Sequence, residues 1–452
     1  LKDGVLSGDF NQQKVLPLKL KLLDSTAQAR LRHEGSWQGD LIINASTQLP
    51  LVLNVAVTTE GYLATLDSPK QGSFGIPLNT FSIDNNVLKF SAAVLQASYE
   101  AKWQDDAWQG SFVQGAAMPL VFKKKASEPA TQLTAPEVSQ IPDWLKQNFG
   151  SFGAALAIID GEKSQVFYHG FSDVAAKKPV TAQTAFEIGS VSKTMIGLLL
   201  ADAVLRQEVL ATAPLHKYLP QLSQHKYTLL DLASHHSGLP RLPANLPLDD
   251  LTDPYRDYDQ AKLLSGLIST TPAQTPGYEY SNLGFGLLAQ VLATEAKLTL
   301  DQLIQQRLFM PLGMTHSTLA RPQQVIPHLA TAHQLDGTAI KNWQFQALAG
   351  AGAVVSTLGD MQKFAQAYLA AAKPDADPRF ALSLKPQQQL SPELAIGMGW
   401  MIENSELYWH NGQTAGFSSY IGLDLKRQRA VILLSNVAMD VTVSGQLLMK
   451  KP

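Results

Sequence analysis

Between residues 186 and 202 the chain reads Phe-Glu-Ile-Gly-Ser-Val-Ser-Lys-Thr-Met-Ile-Gly-Leu-Leu-Leu-Ala-Asp, and no other stretch constrains the fold as strongly. The apolar run that follows Lys193 is longer than a strand and rich in Leu, Ala, Met and Ile, so it predicts a buried helix. Ser190 then falls at the helix N-terminus, with Lys193 one turn on and on the same face. Free backbone N–H groups and the positive end of the helix dipole would stabilise negative charge developing beside such a serine. A lysine amine within reach can take the hydroxyl proton if burial lowers its pKa. The same pattern also arises as a capping serine followed by a solvated lysine. The chain indeed holds a second copy, Ser223-Gln-His-Lys226, in a polar segment after Pro220. The pattern needs partners before it means catalysis.

Length and charge narrow the field. At 452 residues the chain is too long for one compact core, and two or three domains are expected. A formal charge of −2 leaves no basic excess, which argues against nucleic acid or an anionic membrane surface as the partner. No apolar run reaches the roughly 18–20 residues of a membrane span. The absence of cysteine excludes disulfides, thiolate metal sites and cysteine nucleophiles. The chain opens on a leucine, so its natural start, with any signal sequence, is expected to have been removed. These features suit a periplasmic or secreted bacterial protein and also many cytoplasmic ones.

Residues 1–125 predict an all-β region. Leu16-Pro-Leu-Lys-Leu-Lys-Leu22 alternates at period two, Leu49–Val57 repeats the idea, and Asn85-Asn86 and Asp105-Asp106 are hairpin-turn candidates. An internal repeat organises the region. Gly8-Asp-Phe10-Asn-Gln12 with Pro17-Leu-Lys-Leu20 aligns without a gap, at an offset of 102, on Gly110-Ser-Phe112-Val-Gln114 with Pro119-Leu-Val-Phe122. A looser copy is Trp37-Gln-Gly39-Asp-Leu41 followed by Leu49-Pro-Leu-Val-Leu53. The economical division is a remnant of closing strands from a truncated upstream repeat (1–25), a β-barrel (26–125), a polar proline-flanked linker (126–135) and a second domain (136–452). The barrel region resembles the small lipocalin-like barrels found fused to bacterial serine hydrolases.

The second domain changes character. Ile141–Phe149 predicts a short helix, and Gly153–Asp160 and Ser164–Gly170 predict strands around an Asp160-Gly161 turn. Helical patterns dominate from 190 to about 372, and strand character returns at Gly399–Glu403, Ser418–Asp424 and Ala430–Asn436. Strands at both ends with helices between predict a sheet built from the two termini of the domain, a helical lobe inserted between them, and a pocket in the cleft.

Two further motifs give Ser190 its partners. Tyr280-Ser-Asn282 is the one Y-x-N in the chain, and its tyrosine can relay a proton if neighbouring cations lower its pKa from about 10. The Asn282 amide can position a lysine and a substrate carbonyl. His410-Asn411-Gly412-Gln413 supplies a glycine where substrate backbone could approach an edge strand, and the Gln413 N–H could pair with that of Ser190 as an oxyanion hole.

S-x-x-K, Y-x-N and H-x-G, in that order, resemble the serine β-lactamase and penicillin-recognising hydrolase superfamily, in its class C β-lactamase and DD-peptidase branch, which includes family VIII esterases and D-aminopeptidases. Flanking segments agree: Leu229-Leu-Asp-Leu-Ala-Ser-His-His236-Ser-Gly238-Leu-Pro240, Pro311-Leu-Gly-Met314 and Gly350-Ala-Gly352. The resemblance spans about residues 136–448. It implies an α/β domain with an antiparallel sheet, an acyl-enzyme mechanism on a small-molecule or peptide ester or amide, and no metal or cofactor. Ser190 would be the nucleophile, Lys193 and Tyr280 would share the base role, and Asn282, His410, Asn411, Gly412 and Gln413 would hold substrate. His235 and His236 read as loop residues, since no metal-ligand spacing accompanies them. Relatives that hydrolyse β-lactams usually carry K-T-G where this chain has His410-Asn411-Gly412. A histidine of ordinary pKa, about 6.5, is mostly neutral at pH 7, which shifts the expectation toward peptidase or esterase chemistry. A module that acylates without turnover would keep the same motifs. The rival α/β-hydrolase class lacks its G-x-S-x-G elbow here.

Overall fold

The computed structural model describes residues 5–12, 14–21, 25–44, 47–58, 61–68, 73–92, 95, 97–125, 135–247, 253–271, 277–371, 373 and 375–450. The chain divides into two compact units, Leu1–Gln132 and Leu133–Pro452.

The first unit contains a hairpin of β1 (Val5–Gln12) and β2 (Lys14–Lys21). Nine further strands follow: β3 (Gly35–Asn44), β4 (Thr47–Val57), β5 (Tyr62–Ser68), β6 (Ser73–Pro77), β7 (Thr80–Asp84), β8 (Val87–Ala92), β9 (Ala97–Gln104), β10 (Ala107–Gln114) and β11 (Ala116–Lys124). They form one antiparallel sheet in the order β6-β5-β4-β3-β11-β10-β9-β8-β7. The last strand thus returns to the first, and only a β6–β7 pairing is missing among the described residues. The expected barrel is therefore a curled, open half-barrel. Pro77 ends β6 without an N–H to donate, and the register of β5 against β6 shifts between Leu66 and Ser68.

Period two governs which side chains go inside. In β9, Ala97, Tyr99 and Ala101 are buried while Ser98, Glu100 and Lys102 face solvent. Trp37, Leu53, Leu66, Leu88, Trp108 and Phe122 join Tyr99 in the core. Asn85 and Asn86 (φ 48° and 60°) and Asp105 and Asp106 (φ 50° and 56°) are left-handed pairs, the type I′ geometry that closes two-residue hairpins. The sequence repeat is also a repeat of register. Gly8 opposes Leu18 and Asp9 opposes Pro17 in one hairpin, and Gly110 opposes Leu120 and Ser111 opposes Pro119 in another. In β3–β4, Gly39 opposes Leu51 and Asp40 opposes Pro50.

The second unit is built on an eight-stranded antiparallel sheet. Its strands are β12 (Ala154–Asp160), β13 (Lys163–His169), β14 (Gln388–Gln389), β15 (Leu394–Ile396), β16 (Met401–Glu403), β17 (Leu407–Gln413), β18 (Ser418–Asp424) and β19 (Arg429–Ser435), in the order β13-β12-β19-β18-β17-β16-β15-β14. The two ends of the unit meet where β12 pairs with β19. Both faces are covered, which is why β12 is almost wholly apolar. Ala154, Leu156 and Ile158 pack with Leu145 of α1 (Ile141–Phe149) and Leu448 of a C-terminal helix, Thr442–Met449. Ala155, Ala157 and Ile159 join the larger core on the other face.

That core encloses α2 (Ser192–Leu205), in which every residue from Ser192 to Ala203 is buried. A helix apolar all round must be surrounded, and α3 (Asn282–Glu295), whose apolar residues are likewise buried, packs in the same core. The segment 190–372 is less uniformly helical than its pattern predicts. Val354–Thr357 is a strand between Ala185–Glu187 and Thr318–Leu319. Four residues buried throughout show no periodicity to read. Among the described residues no single helix is long and apolar enough to cross a membrane.

Candidate active site

Gly189–Val191 forms a 3₁₀ turn that runs directly into α2, so Ser190 stands at the mouth of the helix. Lys193, one turn on, is completely buried. Its Nζ donates to Ser190 Oγ at 3.1 Å, to Asn282 Oδ1 at 2.8 Å and to the Ala351 carbonyl at 2.6 Å. Burial, with the nearby charge of Arg241, holds the lysine well below its ordinary pKa. Asn282 Oδ1 and Ala351 O can only accept, whereas a hydroxyl can also donate. Once deprotonated, the amine would keep its two N–H groups on those oxygens and turn its lone pair to Ser190 Oγ.

Asn282 is placed by the start of α3. Ser281 caps the helix, accepting from Gly284 N at 2.9 Å and donating to the Pro240 carbonyl at 2.8 Å. Tyr280 lies with its ring 4.8 Å from Lys193 Nζ, and its hydroxyl is close enough to Ser190 to feel it. The expectation that cations lower its pKa is reversed. Burial outweighs the nearby Ser190 hydroxyl and Arg241, and the phenol is pushed up.

The third motif lies on strand β17. β16 pairs with β17 only from Leu407 to Trp409, so His410–Gln413 has one free edge. Gly412 packs closely against the serine turn. A Cβ on Gly412 would lie 2.1 Å from Ile188 O and 3.0 Å from Ser190 N. Gly189, at φ 48°, meets the same contact from the other side, and a Cβ there would lie 2.7 Å from Gln413 N. The two glycines let the strand seat against the serine turn, with the Ser190 and Gln413 amides flanking one contact.

His410 is buried, its Nδ1 bonded to the Asn411 carbonyl, and burial followed by the Lys193 charge lowers its pKa to about 3. It therefore stays neutral where an ordinary histidine would titrate. Asn411 leaves the site: strand alternation turns its side chain out, and Nδ2 donates to Thr442 Oγ1 at 2.8 Å. The second S-x-x-K, Ser223 and Lys226, is exposed and follows a 3₁₀ turn, with no helix behind it. His235 is a buried loop residue. Its Nδ1 accepts from Ser281 N at 3.0 Å and its ring lies 4.3 Å from that of Tyr280.

Sequence reasoning missed four neighbours. Arg241, Tyr255, Trp343 and Phe345 line a cavity of about 90 Å³ together with Ser190, Asn282 and Gln413. Glu187, buried three residues before the serine, accepts from Trp343 N at 2.9 Å, and burial lifts its pKa to about 7. The one local signal was Arg241 directly after Gly238-Leu-Pro240, and Ala351 sits inside the quoted Gly350-Ala-Gly352.

A serine at a helix mouth, bonded to a buried lysine that an asparagine amide and a carbonyl also hold, is the arrangement of a serine hydrolase. The profile of the β-lactamase family matches residues 143–442, and the chain belongs to that family. It is 28% identical over 336 residues to a β-lactamase of Escherichia coli K12, covering 63% of this chain and 84% of that protein. A β-lactamase of Yersinia enterocolitica is 30% identical over 262 residues, 55% of this chain and 65% of its own length. The D-alanyl-D-alanine-carboxypeptidase/endopeptidase AmpH of E. coli K12 is 29% identical over 257 residues, 53% of this chain and 64% of its own. The chain thus spans most of the first relative and just under two thirds of the other two.

Proposed function

We propose that the chain hydrolyses an ester or amide through an acyl-enzyme on Ser190, as a peptidase or esterase rather than an efficient β-lactamase. The observation that carries this reading is the buried Lys193 amine shared by Ser190 Oγ, Asn282 Oδ1 and Ala351 O. Neutral Lys193 takes the Ser190 proton as Oγ bonds to the carbonyl carbon. The carbonyl π pair moves to oxygen, where the N–H groups of Ser190 and Gln413 receive it. Tyr280, its pKa raised, keeps its proton at neutral pH and passes it to the leaving group as the carbon–heteroatom bond breaks. Lys193 then resupplies Tyr280. Water, activated by the same amine, splits the ester bond to Ser190 and restores the enzyme.

The lean away from β-lactams rests on His410, which is neutral and buried where β-lactamases of this kind usually hold a lysine. The relatives' bacterial origin fits a periplasmic or secreted location. A panel of p-nitrophenyl esters, nitrocefin and D-amino-acid peptides tests the reading. Steady turnover of an ester or peptide, with nitrocefin much slower, is expected. A single burst of acylation without turnover would make the chain a binding module of the same fold instead.

A further inference from the structure

Arg241 lines the active-site cavity. Its carbonyl accepts from Asn282 N at 2.9 Å and Leu283 N at 3.2 Å, which ties its backbone to the start of α3. Its guanidinium carbon lies 5.1 Å over the Tyr280 ring. Among the described residues no carboxylate pairs with it and no hydrogen bond uses its side-chain N–H groups, all five of which remain unspent. Its charge acts on Lys193, His235, Tyr255, Tyr278 and Tyr280. Glu187 accepts from Trp343 N and Asp253 from Gln344 N, at 2.9 and 2.8 Å.

Those same two bonds fix the opposite wall. Tyr255 and Phe345 stack at 4.9 Å and 12°, and Trp343 meets Tyr255 edge-on at 5.0 Å and 82°. The cavity beside Ser190 thus offers a planar cation and a preformed aromatic surface. His410 adds no charge, since it is held neutral by burial. A guanidinium matches a carboxylate with two parallel N–H bonds, a geometry that a neutral imidazole does not provide.

Resting on the acyl-enzyme reading above, we infer that Arg241 is the specificity-determining cation of this site, selecting substrates that carry a carboxylate beside an apolar or aromatic group. The carboxylate takes the guanidinium and the apolar group lies on Tyr255, Trp343 and Phe345.

The test compares three esters: neutral phenyl phenylacetate, and two analogues with a meta carboxylate on the acyl ring or on the leaving phenol. The readout is the ratio of kcat/KM for each anionic ester to that for the neutral one. Arg241 also depresses the Lys193 pKa, so its removal changes both rates, and the ratio cancels that shared effect. For Arg241→Gln the ratio should fall about fivefold or more for at least one anionic ester, the upper reach of an exposed ion pair. Arg241→Glu should lower it further. An unchanged ratio in both variants, with both esters still hydrolysed, would overturn the inference.

A binding measurement separates this from failure of the hydrolase reading. Calorimetric titration of Ser190→Ala protein with phenylacetate and with phenylacetamide should show tighter binding of the anion, lost on adding Arg241→Gln. Equal affinities for the two probes would overturn the inference. Parent protein that hydrolyses none of the esters would refute the acyl-enzyme reading, and the titration would still decide Arg241.

Discussion

Lys193→Met tests the base assignment through stability as well as rate. In the fold Lys193 is fully buried and its pKa lies well below the ordinary 10.5. The unfolded chain keeps an ordinary lysine, protonated up to that value. Between the folded pKa and about 10.4 the unfolded state therefore binds one proton more, and stability rises with pH by up to about 1.4 kcal/mol per unit. Methionine does not titrate, so the parent's stability minus the variant's isolates this one group. The sign follows: the parent gains on the variant as pH rises toward about 10.4, loses as pH falls, and levels off at the folded pKa of Lys193. The variant also leaves Asn282 Oδ1 and Ala351 O short of a donor. That costs about 1–3 kcal/mol per orphaned acceptor and adds an offset with no pH dependence. Urea unfolding followed by circular dichroism, repeated across pH, gives the difference curve. Acylation by p-nitrophenyl acetate should fall about 10²–10⁴-fold in the same variant. A difference curve flat from about pH 7 to about pH 9 would mean that Lys193 keeps its proton in the fold. It could not then be the base.

Ser190→Ala should abolish turnover and covalent labelling by a fluorophosphonate, while Ser223→Ala leaves both intact; labelled Ser190→Ala protein, read by intact mass, would refute the nucleophile. Gly412→Ala forces a methyl to within 2.1 Å of Ile188 O, and the displaced serine turn should lower kcat about 10²-fold or more, the size of a lost oxyanion donor. A rate within threefold or so of the parent would refute that role for the contact. The anionic-to-neutral rate ratio should stay flat as pH falls through about 6.5, because His410 is held near 3; a rise centred there would show that His410 titrates. A chain beginning near residue 134 should fold and hydrolyse small esters, and a folded but inactive product would give the N-terminal unit a part in the site. Asp202, buried between Arg206, Arg307 and Arg379, should lose about 2–4 kcal/mol of stability on change to Ala, measured by urea unfolding.

Much of the architecture is written locally. Period-two alternation marked the β-rich unit, and the offset of 102 reappeared as identical hairpin registers, because a glycine and a proline at set positions fix which residues oppose each other. The buried helix after Ser190 needed only its apolar length to be read, and the motif order gave Ser190, Lys193, Tyr280 and Asn282. Closure of the first sheet was not local. It depends on whether β6 and β7, five residues each, pair across a proline end.

The electrostatics of the site were decided by tertiary structure alone. Residue type assigned His410 an ordinary proton affinity and allowed Tyr280 one lowered by cations, and burial shifts His410 down and Tyr280 up, since desolvation depends on what surrounds a group and not on its neighbours in sequence. Strand alternation removed Asn411 from the site as soon as His410 and Gly412 faced inward. Arg241, Tyr255 and Trp343 come from loops far apart in the chain and carry no shared pattern. Only packing against α3 and the anchors at Glu187 and Asp253 brings their side chains to the serine.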